Sequence, residues 1–157
     1  MDVEPVPGHL HTITPRLVFD ESDAAIEVYA AAFGAEVLGE PFRDPEGRVV
    51  HAEIRIGDSV VFLTDATGDG DVCQPPGAGA RPTALMVVNV ADVDSLWERA
   101  VAAGCEVVYP LADQFYGDRG GRVRDPFGHQ WMLSTHVEDV DREEMERRMQ
   151  AWSAGEA

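Results

Sequence analysis

The chain has 157 residues, 45% of them hydrophobic, enough for one domain or for two small modules that share a core. Twelve cations against twenty-nine carboxylates leave a formal charge of −17, a field that repels phosphate and argues against nucleic acid and anionic membranes as partners. All twelve cations are Arg; without Lys, Schiff-base chemistry and the lysine-bearing phosphate loop are excluded.

Met1-Asp2-Val3-Glu4-Pro5 is acidic and carries no apolar stretch, so it does not read as a secretory leader, and no apolar run is long enough to span a bilayer. Cys73 and Cys105 stand apart with no C-x-x-C, which fits a reducing compartment. A cytoplasmic location is expected. Thr12–Phe19, rich in β-branched residues, predicts a strand, with Pro15 marking an edge or bulge. A helix follows, with Ser22 as its cap and Ile26, Tyr29, Ala30 and Phe33 on one face; Gly34 supplies a left-handed terminator. Strands are predicted at Glu36–Phe42, Arg48–Ile56 and Ser59–Asp65, separated by Asp44-Pro45-Glu46-Gly47 and Gly57-Asp58.

A Gly/Pro/Asp-rich stretch then ends all periodicity, and the order repeats. Thr83–Val90 predicts a strand. Asp92 or Asp94 caps a second helix with Val93, Leu96, Trp97 and Ala100 on one face, and Gly104 ends it. Glu106–Leu111, Gly121–Asp125 and His129–His136 predict three more strands. Ala32–Val37 recurs 70 positions later at Ala102–Val107, and Gly57 recurs 71 positions later at Gly128. A last helix opens on the Asp141/Glu144 capping pair and carries Met145, Met149 and Trp152 as an apolar stripe, for its own sheet or for a dimer contact. The expected organisation is a single domain, 1–157, with a βαβββ module at 11–66, a linker at 67–82, a second βαβββ module at 83–137 and a helix at 138–157.

This duplicated order, the Ala-Phe-Gly-Ala helix end at residues 32–35 and the stretch Gly117–Trp131, with its Asp125-Pro126-Phe127-Gly128-His129-Gln130-Trp131, resemble the vicinal oxygen chelate superfamily. That group includes glyoxalase I, extradiol dioxygenases, fosfomycin-modifying enzymes and bleomycin-binding proteins. Val50–Asp58 and the Asp-Pro-Phe-Gly-His-x-Trp ending look most like its PhnB-like branch. The resemblance implies an α+β fold in which the two modules form a cup-shaped mixed sheet, commonly within a homodimer. It also implies one divalent metal, held by His, Glu or Gln from the first and last strand of each module. Counting from the turn glycines, the last-strand positions are Val61 and Met132, and the first-strand ones fall near Ile13–Thr14 and Leu85–Met86. None is a good ligand, so no metal cofactor is expected.

An unconventional metal site is the alternative: His51 and Glu53 share a strand face, and His136 supplies a third donor. Against it, Val50, Ala52, Ile54 and Ile56 are expected to be buried, with His51, Glu53 and Arg55 as a polar face that lines the cleft without metal. His129 is expected to serve its turn, and His9 and His11 to lie in a flexible leader. Phe115 and Tyr116 sit in a polar loop suited to a small-molecule pocket, or else plug the rim. Alternation sets Gln130, Met132, Ser134 and His136 opposite Trp131 and Leu133. Arg119, Arg122 and Arg124 are expected mostly in salt bridges, with anion binding as the other use. Cys105 reads as buried packing, and Cys73 has no cation near it to activate it.

Two functions follow. One is a metal-free binder of a small, neutral or cationic organic molecule, by analogy with the acidic dimers that sequester basic bleomycin. Its ligand-binding residues are His51, Glu53, Arg55, Phe115, Tyr116, Arg122, Gln130, Met132 and Ser134. The other is a metal-dependent lyase, isomerase or dioxygenase, in which Glu53 acts as ligand or as general base.

Overall fold

In a computed structural model, which describes residues 4–67, 74–77, 79 and 81–155, the chain divides into two compact units, Met1–Ala80 and Arg81–Ala157. Unit 1 runs β1 (Arg16–Phe19), α1 (Ser22–Phe33), β2 (Glu36–Val37), β3 (Phe42–Arg43), β4 (Val49–Ile56) and β5 (Ser59–Asp65). Its sheet has the order β1-β5-β4-β2, with β3 also on β4; β1 lies parallel to β5 and the other pairs are antiparallel. Unit 2 runs β6 (Leu85–Asn89), α2 (Val93–Ala102), β7 (Glu106–Asp113), β8 (Asp118–Arg124), β9 (Gln130–His136) and α3 (Arg142–Ala154). The order is β6-β9-β8-β7, again with the first strand parallel to the last. This is the α+β, two-module architecture with a C-terminal helix that the sequence predicts. Cys73 and much of the 67–82 stretch lie outside the described residues.

The repeat extends to side-chain register. Glu36 pairs with Arg55, and Glu106 with Arg124, and each pair closes an ion pair. The last strand of each unit also caps that unit's helix. Asp65 Oδ1 accepts from Ser22 N at 2.6 Å, and Thr135 Oγ1 accepts from Val93 N at 2.9 Å. The expected Ser22 cap is therefore corrected. Glu21 holds the N-cap position without a side-chain bond, while Ser22 is buried in the first turn and capped from the sheet. On α1 the core side is Ala25, Tyr29, Ala32 and Phe33, whereas Ala30 is exposed. Asp92 caps α2, and Val93, Leu96 and Ala100 are buried as the periodicity predicts.

Three strand expectations change in unit 1, and in unit 2 β8 begins at Asp118 rather than Gly121. The first strand begins at Arg16 rather than Thr12, since Pro15 has no N–H to give the ladder. Glu36–Phe42 breaks into β2 and β3 around Gly39, whose φ of 77° is left-handed, and Pro41. Third, Val50 is exposed and Val49 is buried at 1%, because a register shift where β3 meets β4 inserts one residue and reverses the alternation there.

The motif Asp125–Trp131 proves to be a folding device. The carboxylate of Asp125, itself buried, accepts from the backbone N–H of Phe127 and His129 at 3.0 Å and from Trp131 Nε1 at 2.9 Å. Trp131 is thereby fixed in the core under α2, and Gly121 on β8 leaves room for the Trp97 ring; a Cβ there would stand 2.6 Å from it.

Candidate functional site

In unit 2, α2 covers the face built from Trp131, Leu133 and Val123. The opposite face carries a cross-strand row: Val87 on β6, Met132 on β9, Arg122 on β8 and Tyr109 on β7. Val87 and Tyr109 are 54% and 60% exposed, so the ends of this row face outward. Arg122 is half-buried, and its Cζ lies 5.1 Å from the Tyr109 ring centroid, a cation–π contact. Its Nε is buried and meets no hydrogen-bond acceptor among the described residues. Arg124 Nε is likewise buried without an acceptor, but the two neighbouring cations differ from Arg122 in holding ion pairs. Arg119 is tied to Asp94 and Asp113, and Arg124 to Glu106. The expectation of salt bridges thus describes Arg119 and Arg124, and Arg122 stands apart.

Gln130 and Ser134 lie on the same face as Met132, opposite Trp131 and Leu133. The Ser134 hydroxyl is committed: it donates to Asp118 Oδ2 at 3.1 Å. His136 lies 2.8 Å from Asp118 Oδ1 and 2.9 Å from Asp139 Oδ1, and hydrogen bonds from the ring to these carboxylates, Asp118 first, raise its pKa. Gly120 keeps this part of the face low, since a Cβ on it would stand 3.0 Å from the Leu133 carbonyl and 3.6 Å from the Met132 methyl.

Phe115 and Tyr116 form the turn between β7 and β8. Gly117 closes it with a φ of 93°, and a Cβ there would collide with the Glu138 carbonyl, so only glycine fits where the chain after β9 crosses the turn. Phe115 stacks on Trp152 of α3 at 5.5 Å and meets Tyr116 edge-on at 5.3 Å. Arg148 ties α3 to Glu138 and pairs within the helix with Glu144, whose carboxyl is driven down to about 2 by the hydrogen bonds from Arg147 first and Arg148 next. Phe115 is thereby engaged in seating α3. Tyr116 adjoins the row, where burial first and Asp118 next push its hydroxyl pKa up while Arg122 opposes them. The α3 stripe itself stays outside the core: Met149 is exposed, and Trp152 is 61% exposed despite its contact with Phe115.

In unit 1 the face opposite α1 carries Arg16, Phe62 and Glu53 in the equivalent row, with His51 one step along β4. His51 Nε2 lies 3.0 Å from Glu53 Oε1, and the His51 ring meets Phe62 edge-on at 4.7 Å. His9, expected to be a bystander, lies 3.1 Å from Glu53 Oε2. Burial works to raise the Glu53 pKa, but the hydrogen bonds from His51 and His9 outweigh it and hold the carboxyl below its ordinary value. A carboxylate so held is a weaker proton acceptor, which works against a general-base role. Arg55 is occupied by Glu36.

Register also corrects the positions expected for metal ligands. The turn between β4 and β5 is Gly57 and Asp58, while that between β8 and β9 runs from Asp125 to His129, so the two glycines are not equivalent. The unit 1 counterpart of Met132 is Phe62, and Val61 lies buried on the α1 side. On the first strands, Ile13 and Thr14 precede β1, and Leu85 shares the open face with Met132. Phe62, Leu85 and Met132 offer no His or carboxylate donor, so the residues do not fit the superfamily's divalent ion. Among the described residues no group of three His, Cys, Asp or Glu is arranged to hold a metal ion.

Residues 9–133 match the family model for the Glyoxalase/Bleomycin resistance protein/Dioxygenase superfamily. The chain belongs to this superfamily. It is 38% identical over 146 residues to the uncharacterized protein Rv0887c of Mycobacterium tuberculosis, covering 91% of this chain and 85% of that one. Among solved structures it is similar to TioX from Micromonospora sp. ML1, at 30% identity and a TM-score of 0.62 over 81% of this chain and 99% of the other. A PhnB protein from Bacillus cereus shares the fold at 19% identity and a TM-score of 0.62, over 80% of this chain and 99% of that one. Among the described residues no helix is long and apolar enough to cross a membrane.

Proposed function

We propose that this superfamily member holds a small organic molecule without the family's divalent metal, as in drug or metabolite sequestration. The observation that carries the reading is the row Val87–Met132–Arg122–Tyr109: apolar and aromatic side chains around one guanidinium whose Nε has no hydrogen-bond acceptor among the described residues, on a sheet face its own helix leaves open. Gln130 and Tyr116 border it, and the charge of −17 favours neutral or cationic molecules at long range. The proposal includes a cytoplasmic homodimer, which sedimentation velocity tests. Calorimetry against basic glycopeptide drugs and a broad metabolite panel tests binding; saturable heat with at least one compound is expected, and uniformly no heat would contradict the reading.

A metal-dependent lyase, isomerase or dioxygenase is the second reading, supported by the pairing of His51 with the ionised Glu53, two candidate ligands on one strand face. Elemental analysis of the purified protein decides it. Near-stoichiometric zinc, nickel, manganese or iron that is lost in His51→Ala would favour this reading over the first, and a trace amount would end it.

A further inference from the structure

An arginine that is half-buried in so acidic a chain ordinarily finds a carboxylate, because a desolvated cation without one is costly. Among the described residues Arg122 has found none. The acids of β7 and β8 are already committed: Glu106 to Arg124, Asp113 to Arg119, and Asp118 to Ser134 and His136. What Arg122 does have is an aromatic neighbour, Tyr109, against the guanidinium, and the flexible thioether of Met132 beside it in the row. The row thus offers one unspent cation in an apolar, aromatic setting.

We infer that Arg122 is the anchoring residue of an acceptor subsite on unit 2, and that the ligand is a planar aromatic molecule bearing a carboxylate. This rests on the small-molecule reading above and names the chemistry of that same face. The planar, five-donor guanidinium matches a carboxylate in shape as well as charge. Tyr109 and Met132 give the ligand's ring an apolar surface on which to lie. The net charge of the chain governs the long-range field and the guanidinium governs the local one. A zwitterion, aromatic acid at one end and amine at the other, therefore meets both.

Calorimetry of the full chain with benzoate and with benzamide, its uncharged isostere, reads the acceptor directly. Benzoate is expected to bind about tenfold or more tightly than benzamide, the increment of a charge-assisted hydrogen bond. Arg122→Gln is expected to erase that preference, Arg122→Lys to keep part of it, and Tyr109→Leu to weaken both compounds. Equal affinities in the native chain, a preference that survives Arg122→Gln, or binding of neither compound would each overturn the assignment. In any of these cases the metabolite panel still decides the small-molecule reading by itself. Thermal melting guards against a purely structural role. Arg122→Met is expected to melt at the native temperature or above it, and loss of cooperative melting would show that the side chain serves the fold and would overturn the proposal.

Discussion

The two units build equivalent rows that carry opposite charges at one position. At the position where unit 1 places Glu53, unit 2 places Arg122: each pairs in register with the same residue of the last strand, Phe62 in one and Met132 in the other. Glu53 is satisfied twice over, by His51 and His9, whereas the Arg122 Nε meets no acceptor among the described residues. Beneath both rows the supporting devices are alike: an Arg–Glu pair at the sheet margin and a helix capped from the last strand. The Arg–Glu pair and the cap supplied by the last strand recur in both units, while the rows and the turns that lead into the last strands differ.

If that division holds, damage to the supporting parts will cost stability and damage to the rows will cost binding. The largest loss of stability is expected from Asp125→Ala, which strips three hydrogen bonds from the turn and leaves the buried Trp131 N–H without an acceptor. Chemical denaturation should show a loss of about 3 kcal/mol or more; a loss below about 1 kcal/mol would make the motif dispensable to folding. Gly121→Ala comes next, at about 1–3 kcal/mol, since the new methyl group meets the Trp97 ring. Arg122→Met should sit at the other extreme, neutral or stabilising, with its cost appearing only in calorimetry.

The pH dependence sharpens the comparison with smaller effects of opposite sign. The folded pKa of Glu53 is lowered, so its contribution is present above the unfolded value of about 4.3 and is lost as pH falls through the folded value. The folded pKa of His136 is raised, so its contribution is present below about 6.5 and is lost as pH rises through the folded value. Glu53→Gln should therefore flatten the acid limb of stability and His136→Gln the neutral-to-alkaline limb. An unchanged limb in either variant would contradict the corresponding pairing. At the small end, burial pushes the Cys105 thiol up to about 12, so in a Cys73→Ser chain its alkylation should proceed only at the rate of unfolding.

Much of the fold was legible because its signals are local. Gly34 adopts a left-handed φ of 68° at the end of α1 and Gly104 one of 95° just past α2, and the periodicity around Leu96 and Ala100 needs no tertiary knowledge. Alternation along β9 likewise separates Gln130, Met132 and Ser134 from Trp131 and Leu133. What could not be read depends on which strands meet and in what register. Tyr109 and Val87 join Arg122 only through cross-strand pairing, and the unequal turns after β4 and β8 shifted the equivalence from Phe62 to Val61. The insertion that exposes Val50 is set by β3, and His9 reaches Glu53 through a leader whose sequence carries no periodic signal.

The claim that organises these results is that a small molecule is held on the unit 2 face opposite α2. Methyl NMR of methionine-labelled protein tests it most directly, because Met132 lies in the row and Met149 lies on exposed α3. With any compound that binds by calorimetry, the Met132 signal should shift saturably with the same affinity while Met149 stays in place. A bound compound that leaves Met132 unmoved and shifts Met149 instead would contradict the account.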